Sequence, residues 1–206
     1  MEKNLSIESI IRNGMTIGLK NFVALLLSAI LYVLTIWIPY LNVGTTIAMA
    51  TLPMKMSKGD TISPGEIFNE KYRKNMGEFL LLMGLLYLII LMGFMFMIIP
   101  GIVMSIAYGY SIYFLIDKEM TPTDALNLSN KRTYGHKWSI FLAKFAFIIV
   151  AQIVGYILAM IWGPLMLIPL LLVMPIVLGM EAHIYSQISD GEATSSSSEE
   201  VLDDFE

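Results

Sequence analysis

Residues 79–116 read FLLLMGLLYLIILMGFMFMIIPGIVMSIAYGYSIYFLI. The stretch carries no charged residue, and Pro100-Gly101 interrupts it. A membrane helix needs about 20 apolar residues, within roughly 17–25. The run is too long for one crossing and suits two. Proline lacks an amide proton and glycine tolerates positive φ, so the pair predicts a hairpin turn.

Three more blocks repeat the pattern. Phe22–Leu52 is broken between Pro39 and Gly44, and Ile140–Ile161 is parted from Leu165–Ile184 by Trp162-Gly163-Pro164. The sequence therefore predicts an all-α integral membrane protein with six transmembrane helices in three hairpins. They fall near 21–40, 43–56, 77–98, 101–117, 138–162 and 165–187. The second is the weakest. It holds Thr45, Thr46, Thr51 and Pro53 and soon reaches Lys55. It is expected to be tilted, with Lys55 and Lys58 snorkelling; a re-entrant segment is the alternative.

Composition agrees. The chain of 206 residues is 56% hydrophobic and 15% charged. Its mean hydropathy is +0.70. Soluble domains run at about 45–50% apolar and about 25% charged. A globule of this size has too little interior for the excess. Seven of the 17 acidic residues lie in 190–206, so the formal charge of −4 conceals a body of +3. Residues 1–188 are read as the transmembrane domain and 189–206 as a disordered acidic cytoplasmic tail. No cleavable signal peptide is expected, since the first apolar run is longer than a signal core.

The basic residues fix the expected orientation. They cluster at Lys3, Arg12 and Lys20, then at Lys55, Lys58, Lys71, Arg73 and Lys74, then at Lys118, Lys131, Arg132, Lys137 and Lys144. The three short turns carry none. Six crossings put every cluster on one face, which the positive-inside rule names cytoplasmic. Both termini are expected in the cytoplasm of a prokaryotic plasma membrane. Trp37 and Trp162 then fall at the outer interface and Trp138 at the inner one.

A weak internal repeat of about 58 residues accompanies the hairpins, with units near 5–62, 63–120 and 121–188. Each opens on a helix-start signal: Ser6, Ser63-Pro64 or Thr121-Pro122. A basic stretch follows, then an apolar helix opening on Phe22, Phe79 or Trp138. The pattern predicts a pseudo-threefold bundle. Segments 5–18, 64–75 and 122–135 are expected to be amphipathic interfacial helices on the cytoplasmic side.

The order Pro100-Gly101-Ile102, Tyr108–Tyr113, Ala125-Leu126-Asn127-Leu128-Ser129, Gly135-His136-Lys137-Trp138 and Phe141 resembles a group of six-helix prokaryotic membrane proteins. These are the DUF975/YciC-like proteins and the membrane domain of some glycerophosphoryl diester phosphodiesterases. The similar stretch runs from about Ile99 to Phe141, with compatible hydropathy over residues 1–188. The resemblance implies a six-helix fold without an assigned activity. The phosphodiesterase relatives carry a separate soluble catalytic domain, so that activity is not expected here.

Few residues suggest chemistry. The chain has no cysteine and two histidines, His136 and His183, so Cys-based and His-rich metal sites are excluded. No nucleophile–base set, phosphate loop or nucleic-acid patch is evident, and no cofactor is expected. Gln152, Lys144 and Glu181 are the buried polar candidates. Gln152 is expected to hydrogen-bond a neighbouring helix. Lys144 and Glu181 reach similar depth in the last hairpin and are expected to pair. His183 is read as an interfacial polar tip.

Gly101, Ser105 and Gly109, and Ala151, Gly155 and Ala159, recur every four residues and predict close helix packing. The 16 methionines read as flexible filler. Lys71, Arg73, Lys74, Lys131, Arg132 and Lys137 are candidates for lipid headgroups. The expected function is non-enzymatic: an accessory, interaction or membrane-protection protein, as in bacteriocin immunity. The alternative is a small transporter or channel. Expected partners are membrane lipids, with a membrane protein or a second copy as further possibilities.

Overall fold

The computed structural model describes residues 5–74, 76–163 and 167–189. The acidic tail 190–206 and the expected start of the last helix at 165 lie outside the described residues. The described residues form helices joined by short turns, with no strand among them. The helices are α1 (Ile7–Lys20), α2 (Phe22–Thr35), α3 (Pro39–Ser57), α4 (Lys71–Lys74), α5 (Met76–Phe96), α6 (Ile98–Gly109), α7 (Ser111–Asp117), α8 (Pro122–Thr133), α9 (Lys137–Ile161) and α10 (Leu167–Ser189). A 3₁₀ turn, Pro64–Phe68, precedes α4.

Four stretches are long and apolar enough to cross a membrane: Met76–Phe96, Ile98–Asp117, Lys137–Ile161 and Leu171–Ser189. The bent pair α1 and α2, at 70° to one another, would make a fifth if counted as one span. The protein is thus multi-pass and helical. α3 is not among the candidate spans. Its threonines turn inward: Thr35 and Thr45 share a hydrogen bond of 2.9 Å, and Tyr32 and Thr46 one of 3.3 Å, between α2 and α3.

The turns fall one step away from the expected places. The first spans Ile36–Ile38, and Pro39 opens α3. The second is at Met97, whose backbone is extended (φ −167, ψ 164), and Pro100 sits in the first turn of α6. Both prolines occupy a first helical turn, where the missing amide proton has no intrahelical acceptor to lose.

The three segments that open the repeat fold differently. Ser6 caps α1, its hydroxyl accepting from the Ser9 amide at 3.2 Å. Thr121 caps α8 through the Asp124 amide at 3.3 Å. Ser63 makes no side-chain cap, and its segment breaks into the 3₁₀ turn and the one-turn α4.

α1 lies along α10. Gly14, Gly18 and Gly179 let the two backbones touch: a Cβ on Gly179 would stand 2.1 Å from the Gly14 carbonyl oxygen, and one on Gly18 would stand 2.3 Å from that of Pro175. Ser9, Ile10, Gly14 and Gly18 are buried on this face. Of the two small-residue rows read from the sequence, Gly101 packs against Phe94 and Gly93, and Gly155 against Pro169. Ser105 instead hydrogen-bonds back to the Gly101 carbonyl at 2.8 Å. Gly109 has open space beside it, and Ala151 and Ala159 are half-buried.

Candidate functional site

α10 is the axis of the polar interior. Residues four apart share a helix face and residues two apart lie on opposite sides. Glu181 and Tyr185 therefore face α7 and α9, while His183 faces α1.

On the first side, Lys144 of α9 lies 2.5 Å from Glu181 Oε1. The structure brings together the two residues whose depth matched in the sequence. The Lys144 ammonium also stands 5.1 Å over the Tyr110 ring. Edge-to-face contacts continue from Tyr110 to Tyr113 at 5.9 Å and from Tyr113 to Tyr185 at 5.2 Å. Tyr185 donates to Asp117 Oδ2 at 2.7 Å, and Asp117 pairs through its other oxygen with Lys58. A polar and aromatic seam thus joins α9, α6, α7, α10 and the end of α3.

On the other side, Asn13 donates to Ser9 Oγ at 3.1 Å, and both approach His183 Nε2, at 3.3 Å and 3.1 Å. His183 is a buried partner of α1.

A second polar region follows α3. Gly59 adopts φ +78, and the amides of Gly59 and Asp60 bond back to the carbonyls of Met56 and Lys55. This closes α3 with a glycine-dependent end that fixes Lys55 and Lys58. Lys55 pairs with Glu66 of the 3₁₀ turn, and Lys71 reaches the same oxygen at 3.0 Å. Tyr72 is buried between the two ammoniums, at 5.5 Å from Lys55 and 5.1 Å from Lys71. Burial opposes ionisation of Glu66, but Lys55 and Lys71 outweigh it and hold the carboxyl below its usual range. Burial likewise opposes the charge on Lys71, and Glu66 raises its pKa nonetheless.

A cleft of about 370 Å³ opens here, lined by Met54, Lys55, Lys71, Tyr72, Lys74, Ile116 and Glu119. A second, of about 410 Å³, lies beside Tyr40, Glu70, Arg73 and Lys74. Arg73 bonds Glu70 at 3.1 Å and stands 5.8 Å over the Tyr40 ring.

The headgroup candidates therefore separate. Lys71, Arg73 and Lys74 line the clefts. Lys131 and Arg132 sit on α8, and Lys137, bonded to Asn130 at 2.7 Å, opens α9. Gln152 is exposed on the outside of α9 and bonds no neighbouring helix among the described residues.

Sequence reasoning missed Glu66, Asp117, Tyr185 and the Ser9–Asn13 contact, and it read Lys55 and Lys58 as snorkelling without their carboxylate partners. The spacing Gly14 to Gly18 was a signal for the α1–α10 contact. It went unused because α1 reads as a surface helix. Comparison with protein families, curated proteins and solved structures returns no match.

Proposed function

We propose that this is a non-enzymatic accessory protein of the prokaryotic plasma membrane, docking through its basic clefts on anionic lipid headgroups. A membrane-protection role of the bacteriocin-immunity kind, or assembly with another membrane protein, fits this reading. The carrying observation is the cleft between α3, α4 and α7. Lys71 and Lys74 line it exposed, and Tyr72 forms its apolar wall. Phosphate oxygens suit such ammoniums, and each adds about 1 kcal/mol near an anionic surface.

Transport is the less favoured reading. A hydrated path would need polar groups at mid-depth, and Gln152 is exposed on the outside of α9. Lys144 and Glu181 are consumed by each other. The motif shared with the six-helix group belongs to this proposal as a sign of kinship only.

The proposed topology keeps both termini cytoplasmic. Ser9 beside His183, and Lys58 beside Asp117 and Tyr185, draw the ends of α1, α3, α7 and α10 together. Arg73 against Tyr40 ties the start of α3 to the residues preceding α5. Four full crossings with α2–α3 as a re-entrant hairpin fit these contacts. They satisfy the basic-residue asymmetry as well as six crossings do, because the hairpin leaves by the face it enters. The chain has no cysteine, so single-cysteine variants are clean. Trp37→Cys should stay unlabelled by an impermeant thiol reagent outside intact cells, with Gly163→Cys labelled. External labelling at 37 would restore the six-span arrangement.

The functional test uses the purified full chain in phosphatidylcholine vesicles with and without phosphatidylglycerol. A fluorescent phosphatidylglycerol should be enriched around the wild type, less so in high salt. Lys74→Gln should weaken this about fivefold, the equivalent of about 1 kcal/mol. Equal retention in neutral and anionic vesicles would sink the headgroup reading. Solute release from loaded vesicles that depends on the wild-type protein would favour transport.

A further inference from the structure

α9 carries an amide with nowhere to go. Gln152 lies about 22 Å along the helix from Lys137 and about 14 Å short of Ile161, at 1.5 Å per residue. That is within the apolar layer for any orientation in which α9 spans. The side chain is exposed and has no hydrogen-bond partner among the described residues. Water is absent at that depth, so two N–H donors and a carbonyl acceptor are left unsatisfied.

The residues around it form a stripe. Phe145, Ile148, Gln152 and Tyr156 follow one another at three- and four-residue steps, and all are exposed. Phe141, stacked on Phe145 at 5.3 Å, extends the stripe inward. Ala159 extends it outward with a small side chain that admits a close backbone. Steps of three and four residues are the spacing with which one helix packs along another. Gly155, three residues from Gln152, faces Pro169 of α10, so the stripe borders the hairpin contact and a second copy would pack beside it.

We propose that this stripe is a two-fold interface with a second copy of the same chain, α9 against α9, with Gln152 bonded to Gln152. The amide itself argues for a second copy. It is both donor and acceptor, so a two-fold axis beside it satisfies one donor and one acceptor on each chain at once. An unrelated partner would need its own polar group at that depth and register. No charged residue of α9 other than Lys137 and Lys144 has to be accommodated, and Lys144 is held by Glu181 on the inner side. The interface is independent of whether the clefts bind lipid.

The test is made on the full chain in membranes. Ile148→Cys and Tyr156→Cys should each give a disulfide-linked dimer under mild oxidation. Val150→Cys, whose 58% exposure lies between those of Ile148 and Tyr156 but which sits on the opposite side of α9, should not. In wild type without cysteine, single-molecule photobleaching of labelled protein at increasing lipid dilution should show a monomer–dimer equilibrium. Gln152→Leu should weaken it about 5- to 30-fold. Gln152→Asn, which keeps donor and acceptor, should retain most of the affinity. The side chain is exposed and hydrogen-bonds nothing among the described residues, so neither change should alter thermal unfolding of the monomer. A monomer at all dilutions, cross-linking at 150 as strong as at 148 and 156, or Gln152→Leu dimerising as wild type would each overturn the proposal. Pairing of α9 with a different protein in place of itself would do so as well.

Discussion

Gly179→Val should disrupt the bundle more than any other single change. The added Cβ would meet the Gly14 carbonyl at 2.1 Å and the Gly18 amide nitrogen at 2.6 Å. Both obstacles are backbone of a neighbouring helix, so no rotamer change relieves them. Overpacking a core usually costs about 1–3 kcal/mol because side chains yield. Here whole helices must move apart, and a loss of about 3 kcal/mol or more is expected. α1 would leave α10, and His183 would lose Ser9 and Asn13. Thermal unfolding in mild detergent reads the effect. Gly84→Ala is the control, since nothing lies within 4 Å of a Cβ there. Alanine replaces glycine in a helix with a gain of up to about 1 kcal/mol. A Gly179→Val protein as stable as wild type would mean that the α1–α10 contact contributes nothing.

The second large effect is at the ion pair. Lys144→Met leaves the Glu181 carboxylate without its partner inside a spanning helix. Removing one member of a fully buried pair costs about 3–5 kcal/mol, much of it the stranded charge, and with these side chains 24% and 21% exposed a loss near the lower end of that range is expected. Glu181→Gln should cost less, because the longer lysine can extend its ammonium toward the interface. The double change Lys144→Met with Glu181→Leu should recover most of the loss. A double-mutant cycle on detergent unfolding measures the coupling. Additive losses would make the two residues independent despite their 2.5 Å contact.

The parts legible in the sequence were those governed by counting along one hairpin. Lys144 and Glu181 met because residue number sets depth on both sides of one turn. The apolar runs gave α5, α6 with α7, α9 and α10 for the same reason. The turns were displaced because proline marks the first turn of the next helix more than the loop before it, as Pro39 and Pro100 illustrate. The length of α3 was legible, but its status was not. Crossing depends on what surrounds a helix, and the Arg73–Tyr40 contact joins residues 33 positions apart.

Contacts between distant segments were the least legible. Lys58 and Asp117 are 59 residues apart, and nothing local to either names the other. Ser9 and His183 are separated by 174. Gln152 was readable as a polar residue at depth, but not the direction in which it faces. That depends on which side of α9 receives α10, and Gly155 against Pro169 decides it.

The glycine crossing also has a consequence for biosynthesis. Gly14 and Gly179 leave the ribosome roughly 165 residues apart, an interval of about 10–30 s at ~5–20 residues per second. Throughout that time the glycine face of α1 lacks α10, its principal native partner. Closure of α10 onto it therefore marks completion of the bundle, and a nascent chain halted before Gly179 would expose Ser9, Asn13 and the glycine groove to the insertion machinery and to quality-control proteases.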